Sequence, residues 1–414
     1  MRTDGKTAAV RKIRGDSCCG SPEACSNIVF LYSRKGIVPV FYKNARIYTG
    51  DFQFHTGAFE VKDGRFGAVL PESVPADAVD LKGATVIPGL IEVHSHGNSN
   101  SDFCDGDYEG LKKMAGYYLS CGITSFAPAS LTLPYDVLAR AFATGRKLAD
   151  ERPEGCSVLR GINMEGPYFS EKKKGAQNGA YLKNPDFEGF KKLYDGCGGL
   201  IRIVDLAPEL PGAVEFTEKA SKLCTVSVAH TDSDYEHARA VFDAGATQMT
   251  HLYNAMSGIH HRNPGVIPAG SENPDVRAEI VCDGHHVHPS AVRLAFKMFK
   301  DRMIVISDSG RCAGLPEGTV FDEGGLTASV KGGVGRLPDG TISCSATNMW
   351  QCLLNCISWN IPEEEVIRAC TYNPACSIGA DKEVGSIETG KAADFLICTD
   401  HYAEKRVFLA GKEI

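Results

Sequence analysis

Eight times between residues 85 and 310 the chain repeats one rhythm, in which an apolar run meets a polar stop and gives way to a helix-like stretch. The runs are "TVIPGLIEVHSH", "GITSFAPAS", "SVLRGINMEG", "IRIVDLAPE", "CTVSVAHTD", "ATQMTHLYN", "RAEIVCDGHH" and "RMIVISDSG". Amphipathic segments such as "DYEHARAVFDAG" and "PSAVRLAFKMFKD" lie between them. Strands that alternate with helices pair in parallel, because the helix supplies the crossover that a parallel neighbour needs. Eight such units predict an α/β fold, a (β/α)8 TIM-type barrel, which typically takes roughly 250 residues. A doubly wound open sheet is the alternative, but no Gly-rich dinucleotide fingerprint follows the first strand.

The polar stops carry the chemistry. Catalytic groups of such barrels stand at the carboxyl ends of the strands, and here those ends hold His94, His96, Glu165, His230, His251, His286 and Asp308. A single strand-end histidine is more often a capped or solvated residue than a ligand. Six strands that each end in His, Asp or Glu point instead to a metal site. Alternate residues of a strand share a face, so His94 and His96 point together. Imidazole and carboxylate donors together suit Zn²⁺, Fe²⁺ or a similar ion. Asp308 reads as the proton handler, since an activated water needs a base beside it. His237 falls in a helix-like stretch and His55 and His401 lie outside the barrel, so none of these is given a role.

Past His251 the chain runs into "YNAMSGIHHRNPG". Asn254, the small Ala255 and the cluster His260, His261 and Arg262 suit an anionic group, since backbone N–H groups and a guanidinium are good phosphate partners. The alternative is a surface loop with an Asn-Pro turn. "CDGHHVHPS" adds further imidazoles after the seventh strand.

Composition narrows the partners. A formal charge of −7 argues against nucleic acid or an anionic membrane as the main partner. Every apolar run is shorter than the roughly 20 residues needed to span a bilayer. The 16 cysteines are scattered through apolar segments, as reduced thiols of a cytoplasmic protein would be. Residues 1–35 are basic but lack the apolar core of a secretory signal, and Asp4, Asp16 and Glu23 count against a transit peptide. They read as a disordered extension. Cys18, Cys19 and Cys25 within it have no second cluster to complete a metal site.

From about residue 38 to the end, the chain resembles the N-acetylglucosamine-6-phosphate deacetylases of the metal-dependent amidohydrolase superfamily. The resemblance rests on "PGLIEVHSHG", "NMEGPYFSEKKKGAQ", "VAHTDSDYEHARAVFDAGATQMTHLYNAM", "HRNPG", "DGHHVHP", "ISDSGRCAGLPEG" and "NPACSIGADKEVGSIETGKAADFLI". It implies one or two divalent ions (Zn, Fe or Mn), with Glu165, His230 and His251 as principal ligands and His94 and His96 holding a second ion. Asp308 would be the general acid/base. Asn254, Ala255, Arg262 and His286 would hold the sugar phosphate, with Arg262 reaching the site from the neighbouring subunit of a homodimer. Ala176, Gln177, Asp283, Gly284, His285, Ile342, Ser343 and Cys344 fall in the remaining substrate-contacting segments. The implied organisation is a catalytic barrel over 86–379 and a small β-sandwich domain built from 36–85 plus 380–414. The implied reaction releases acetate from N-acetylglucosamine-6-phosphate in amino-sugar catabolism.

Three positions depart from the family pattern. Gln177 stands where a histidine is common, and it can donate a hydrogen bond but carries no proton near neutral pH. Cys344 replaces a glycine, and Ser309 replaces an alanine. Three alternatives stand beside the main reading: deacetylation of the galactosamine epimer, a non-catalytic barrel that binds sugar phosphates, and a ring-opening amidohydrolase. The last usually bridges its metals with a modified lysine, and the third and fourth runs contain no lysine.

Overall fold

Residues 39–414 are described by the computed structural model; the expected extension over 1–35, with Cys18, Cys19 and Cys25, lies outside the described residues. Each of the eight apolar runs contributes a parallel strand. In order these are Leu90–Glu92, Ile123–Phe126, Val158–Leu159 continued by Ile162–Tyr168, Ile201–Leu206, Thr225–Val228, Gln248–Met249, Arg277–Val281 and Met303–Ile306. Neighbours in sequence are neighbours in space, as one three-stranded and one six-stranded parallel sheet. A helix follows nearly every strand, and several start where the sequence offers a capping side chain. Asp107, Asp186, Asp234 and Asn348 each accept a backbone N–H from the first turn, which satisfies donors that a helix start leaves unpaired.

The first run is divided. Thr85–Pro88 pairs with Val40–Tyr48 and Phe395–Thr399, whereas Leu90–Glu92 pairs with the second parallel strand. The break falls at Gly89, where a Cβ would come within 2.2 Å of Thr124 Oγ1. Only glycine allows so close an approach.

The two chain ends meet in one eight-stranded sheet. The sheet is rolled: three strands separate those that carry Phe66 and Phe395, yet their rings are 5.8 Å apart. The rings of Tyr42, Phe59, Phe66, Phe395 and Phe408 fill the roll, forming an apolar core separate from the one beneath the helices.

One element had no counterpart in the sequence reading. After the eighth strand the chain forms a four-stranded antiparallel sheet from Val320–Glu323, Leu326–Val330, Val334–Arg336 and Ile342–Ser345. Ser309 pairs with Ser345, which ties this inserted sheet to the loop after Asp308. No helix of the described residues is long and apolar enough to cross a membrane.

Candidate active site

Four of the expected residues share one phase. His94, His230, His251 and Asp308 each stand two residues past the last residue of a parallel strand, and Glu165 lies within the third. Val228 and Met249, two residues before His230 and His251, pack in the core beneath the helices, so on those two strands the period of two does not by itself turn the histidine inward. His230, His251 and Asp308 adopt left-handed φ values of 44°, 31° and 49°. A residue with a Cβ pays roughly 1 kcal/mol or more for that conformation. Three such costs at one rim mark where the packing enforces side-chain direction over backbone comfort.

The six side chains converge. Glu165 Oε1 lies 3.2 Å from His230 Nε2, 3.2 Å from His251 Nε2 and 3.4 Å from His94 Nε2. The two Nε2 atoms of His230 and His251 are themselves 3.1 Å apart. His96 Nε2 sits 3.4 Å from both Glu165 Oε2 and Asp308 Oδ1, and His94 Nε2 is 3.8 Å from Asp308 Oδ1. All six residues are buried.

The surroundings turn lone pairs toward that centre. His94 Nδ1 is 2.8 Å from Glu279 Oε2, and His230 Nδ1 is 2.9 Å from the Lys173 carbonyl. Each of these acceptors holds the ring proton on Nδ1, so each Nε2 presents a lone pair. His94 Nε2 has no hydrogen-bond partner. Lone pairs and carboxylate oxygens at such distances repel unless a cation lies among them. The same demand appears in proton affinity. Burial alone would lower the His94 pKa, yet Glu279 and Glu165 outweigh it and hold it well above the ordinary value. Burial would raise the Glu165 carboxyl, but His94 and the hydrogen bonds from His230 and His251 hold it well below its usual range. Asp308 is likewise held low, because His96 and His94 outweigh its burial. Two sets, His94–His96–Asp308 and His94–Glu165–His251, have the spacing to hold a metal ion. The imidazole-carboxylate donors fit a divalent ion of the zinc, iron or manganese kind.

Ala176, Gln177, Asn254, Ala255 and Ser343 line one pocket together with His96, Glu165, His230, His251 and Asp308. Gln177 donates from Nε2 to Glu165 Oε2 at 2.7 Å and accepts the Thr132 N–H at 2.7 Å. At Gln177, then, a fixed carboxamide grips the carboxylate. The other expected substrate residues lie outside the pocket lining of the single chain. Asp283 pairs with His286 at 2.7 Å and accepts the N–H groups of His285 and His286 across Gly284. Arg262 is exposed and meets His261. Ile342 and Cys344 flank Ser343 on one strand; Cys344 turns into the protein, 3.4 Å from Cys312 Sγ.

Sequence reasoning missed the acids behind the histidines. Glu279 orients His94 and is itself held by Gln248 at 2.6 Å. Glu92 accepts from the His94 N–H and from Ser307. Their signal was available: a lone glutamate inside an apolar parallel strand, in "LIEV" and "AEIV", is costly unless partnered. Glu323 and Leu131, which complete the pocket lining, gave no comparable signal.

A parallel α/β fold with buried histidines and carboxylates at its strand ends defines a metal-dependent hydrolase class, and the chain belongs to the amidohydrolase family, whose model matches residues 85–414. Within that family its relatives are specific. It is 34% identical to the N-acetylglucosamine-6-phosphate deacetylase of Bacillus subtilis (strain 168), over 86% of this chain and 92% of that one. The enzyme of that name from Vibrio furnissii is 32% identical, over 81% and 84%. In three dimensions the chain is similar to a mutant N-acetyl-D-glucosamine-6-phosphate deacetylase of Mycobacterium smegmatis solved with N-acetyl-D-glucosamine-6-phosphate. That match has a TM-score of 0.84 and 27% identity, covering 91% of this chain and 99% of the other.

Proposed function

We propose that the protein is a metal-dependent hydrolase that releases acetate from N-acetylglucosamine-6-phosphate and leaves glucosamine-6-phosphate. One observation carries the reading: Glu165 Oε1 lies 3.2 Å from both His230 Nε2 and His251 Nε2, with the Asp308 carboxylate on the other side of the same cluster. Glu165, His230 and His251 would hold the principal ion, and His94 and His96 a second where one binds. A divalent ion supplies an activated water at neutral pH and polarises the acyl oxygen.

The chain's own groups do the rest. Asp308, kept ionised, takes the proton from the attacking water and delivers it to the leaving amine. Gln177 holds Glu165 Oε2, the oxygen nearer His96, while Oε1 faces His230, His251 and His94. Asn254 and Ala255, with His286 and Arg262, would grip the phosphate. In a homodimer Arg262 would come from the neighbouring subunit, a reading supported by its exposure and by its place outside the single-chain pocket.

We read the eight parallel strands as a closed barrel over 86–379. Support comes from backbone bonds joining the segments past the first and eighth strands, Asp308 N–H to the His94 carbonyl at 3.0 Å and His96 N–H to the Ser309 carbonyl at 2.7 Å. The separate aromatic core supports a small second domain from 36–85 plus 380–414. Every cysteine of the described residues is a free thiol, which supports a cytoplasmic setting.

The test is acetate release from N-acetylglucosamine-6-phosphate by protein loaded with Zn²⁺, Fe²⁺ or Mn²⁺, with the galactosamine epimer alongside. Release that is abolished by chelation and restored by metal is expected. Release from the epimer alone would move the substrate, and silence on both would overturn the reading.

A further inference from the structure

Glu323 ends the first strand of the inserted sheet, is 3% exposed and lines the pocket. Its Oε1 has no hydrogen-bond partner, and its Oε2 meets only the Cys344 thiol, at 3.7 Å. Burial, with the neighbouring Cys344 and Asp102, holds the carboxyl well above its usual range against the pull of His96 and Arg311. A carboxyl buried in the pocket wall with one oxygen unpartnered has hydrogen-bonding capacity to offer a ligand. Hydrolysis of an acetamide has no use for such a group.

Its place in the pocket suggests one. Glu323 shares the lining with His96 and Leu131, which follow the first and second parallel strands. Asn254 and Ala255 follow the sixth, well round the strand order. A substrate with its phosphate near Asn254 and its carbonyl at Glu165 and His230 would place its acyl group on the Glu323 side of this shared pocket. A bare methyl there leaves a buried carboxyl without a partner, which is costly. A hydroxyl supplies one.

We infer that Glu323 is a specificity-determining residue that reads the acyl group and favours a hydroxyacetyl (glycolyl) amide over an acetyl amide. This rests on the deacylase reading above. The chemistry is unchanged: the oxygen of water bonds to the acyl carbon, the C–N bond breaks, the amine leaves with a proton, and glycolate replaces acetate.

The test compares kcat/KM of the metal-loaded enzyme for N-glycolyl- and N-acetylglucosamine-6-phosphate, in the wild type, Glu323→Gln and Glu323→Leu. The wild type should favour the glycolyl substrate by about 10- to 100-fold, since a site built to pair a hydroxyl discriminates against its absence. Glu323→Gln, which still donates and accepts, should keep the preference. Glu323→Leu should reverse it while retaining metal content, which separates lost specificity from a collapsed site. An equal ratio in wild type and Glu323→Leu, or in wild type and Glu323→Gln with no preference for glycolyl, would overturn the inference. Acetate release without glycolyl preference would sink this inference and leave the deacylase reading standing. Inertness toward both substrates would overturn both.

Discussion

Two regions of this molecule are equally buried and opposite in character. Inside the rolled terminal sheet, Tyr42, Phe59, Phe66, Phe395 and Phe408 pack ring on ring, with Phe395 stacked on Phe408 at 4.4 Å. At the ends of the parallel strands, four histidines and two carboxylates crowd within 3.1–3.8 Å. In the first region burial itself is the stabilising term, since each ring leaves water and meets another. In the second, burial is a cost that the partners offset only when positive charge sits among them. His230, His251 and Asp308 hold left-handed φ values at the second region's strand ends, a strain tolerated because the surrounding strands fix the backbone. Stability and chemistry are thus carried by separate parts of one chain.

Substitutions can break or sharpen that separation. The largest effect is expected from Asp308→Asn, which should lower kcat by about 10³-fold or more, within the range for losing a general acid/base. Metal content and melting temperature should stay near wild type; a kcat within tenfold of wild type would remove Asp308 from the chemistry. Next comes Phe395→Ala in the terminal core, with a loss of about 3–5 kcal/mol in denaturant unfolding. Its kcat per folded, metal-loaded molecule should be unchanged, and a parallel fall in kcat would show the two regions coupled.

Glu279→Gln should be smaller and should fall on the ion alone. Removing the negative charge of the acceptor behind His94 Nδ1 should weaken metal affinity by about 10- to 100-fold, read by competition with a chelator, and unchanged affinity would separate Glu279 from the site. The smallest effect belongs to Glu363, whose carboxylate takes a bidentate pair from Arg46 at 2.7 and 2.8 Å and a hydrogen bond from Tyr402. Burial would raise this carboxyl, but Arg46 and Tyr402 outweigh it and hold it below its ordinary value. A lowered folded-state pKa contributes stability above the unfolded pKa and loses it as pH falls through the folded value. Glu363→Gln should therefore cost about 1 kcal/mol or less near neutral pH, given partial exposure. That difference should vanish in acid, and a melting-temperature gap that widens as pH falls would contradict the assignment.

How far the sequence reaches differs between the two regions. Periodicity exposed all eight parallel strands, and the polar residue after each run exposed the cluster, because His, Asp or Glu at the end of an apolar strand has few reasons to be there. The acids one layer deeper escaped. Glu279 and Glu92 sit in mid-strand, and only their partners, His94 and Ser307, turn them from misplaced charges into supports. The inserted sheet escaped as well, and Glu323 with it, since short alternating strands between glycines look like any surface hairpin.

The sequence by itself determined which elements form and which side chains reach the strand ends. Both depend on local spacing, the period of two along a strand and the alternation of strand with helix. Only the tertiary structure decided what those side chains meet. That Glu165 Oε1 lies close to both His230 and His251, that Gln177 grips its other oxygen, and that Glu323 Oε1 is left without a partner are matters of segments far apart in the chain. Such distances follow from how the whole set of strands packs, because short-range electrostatics and hydrogen bonding act through space and carry no trace in the order of residues.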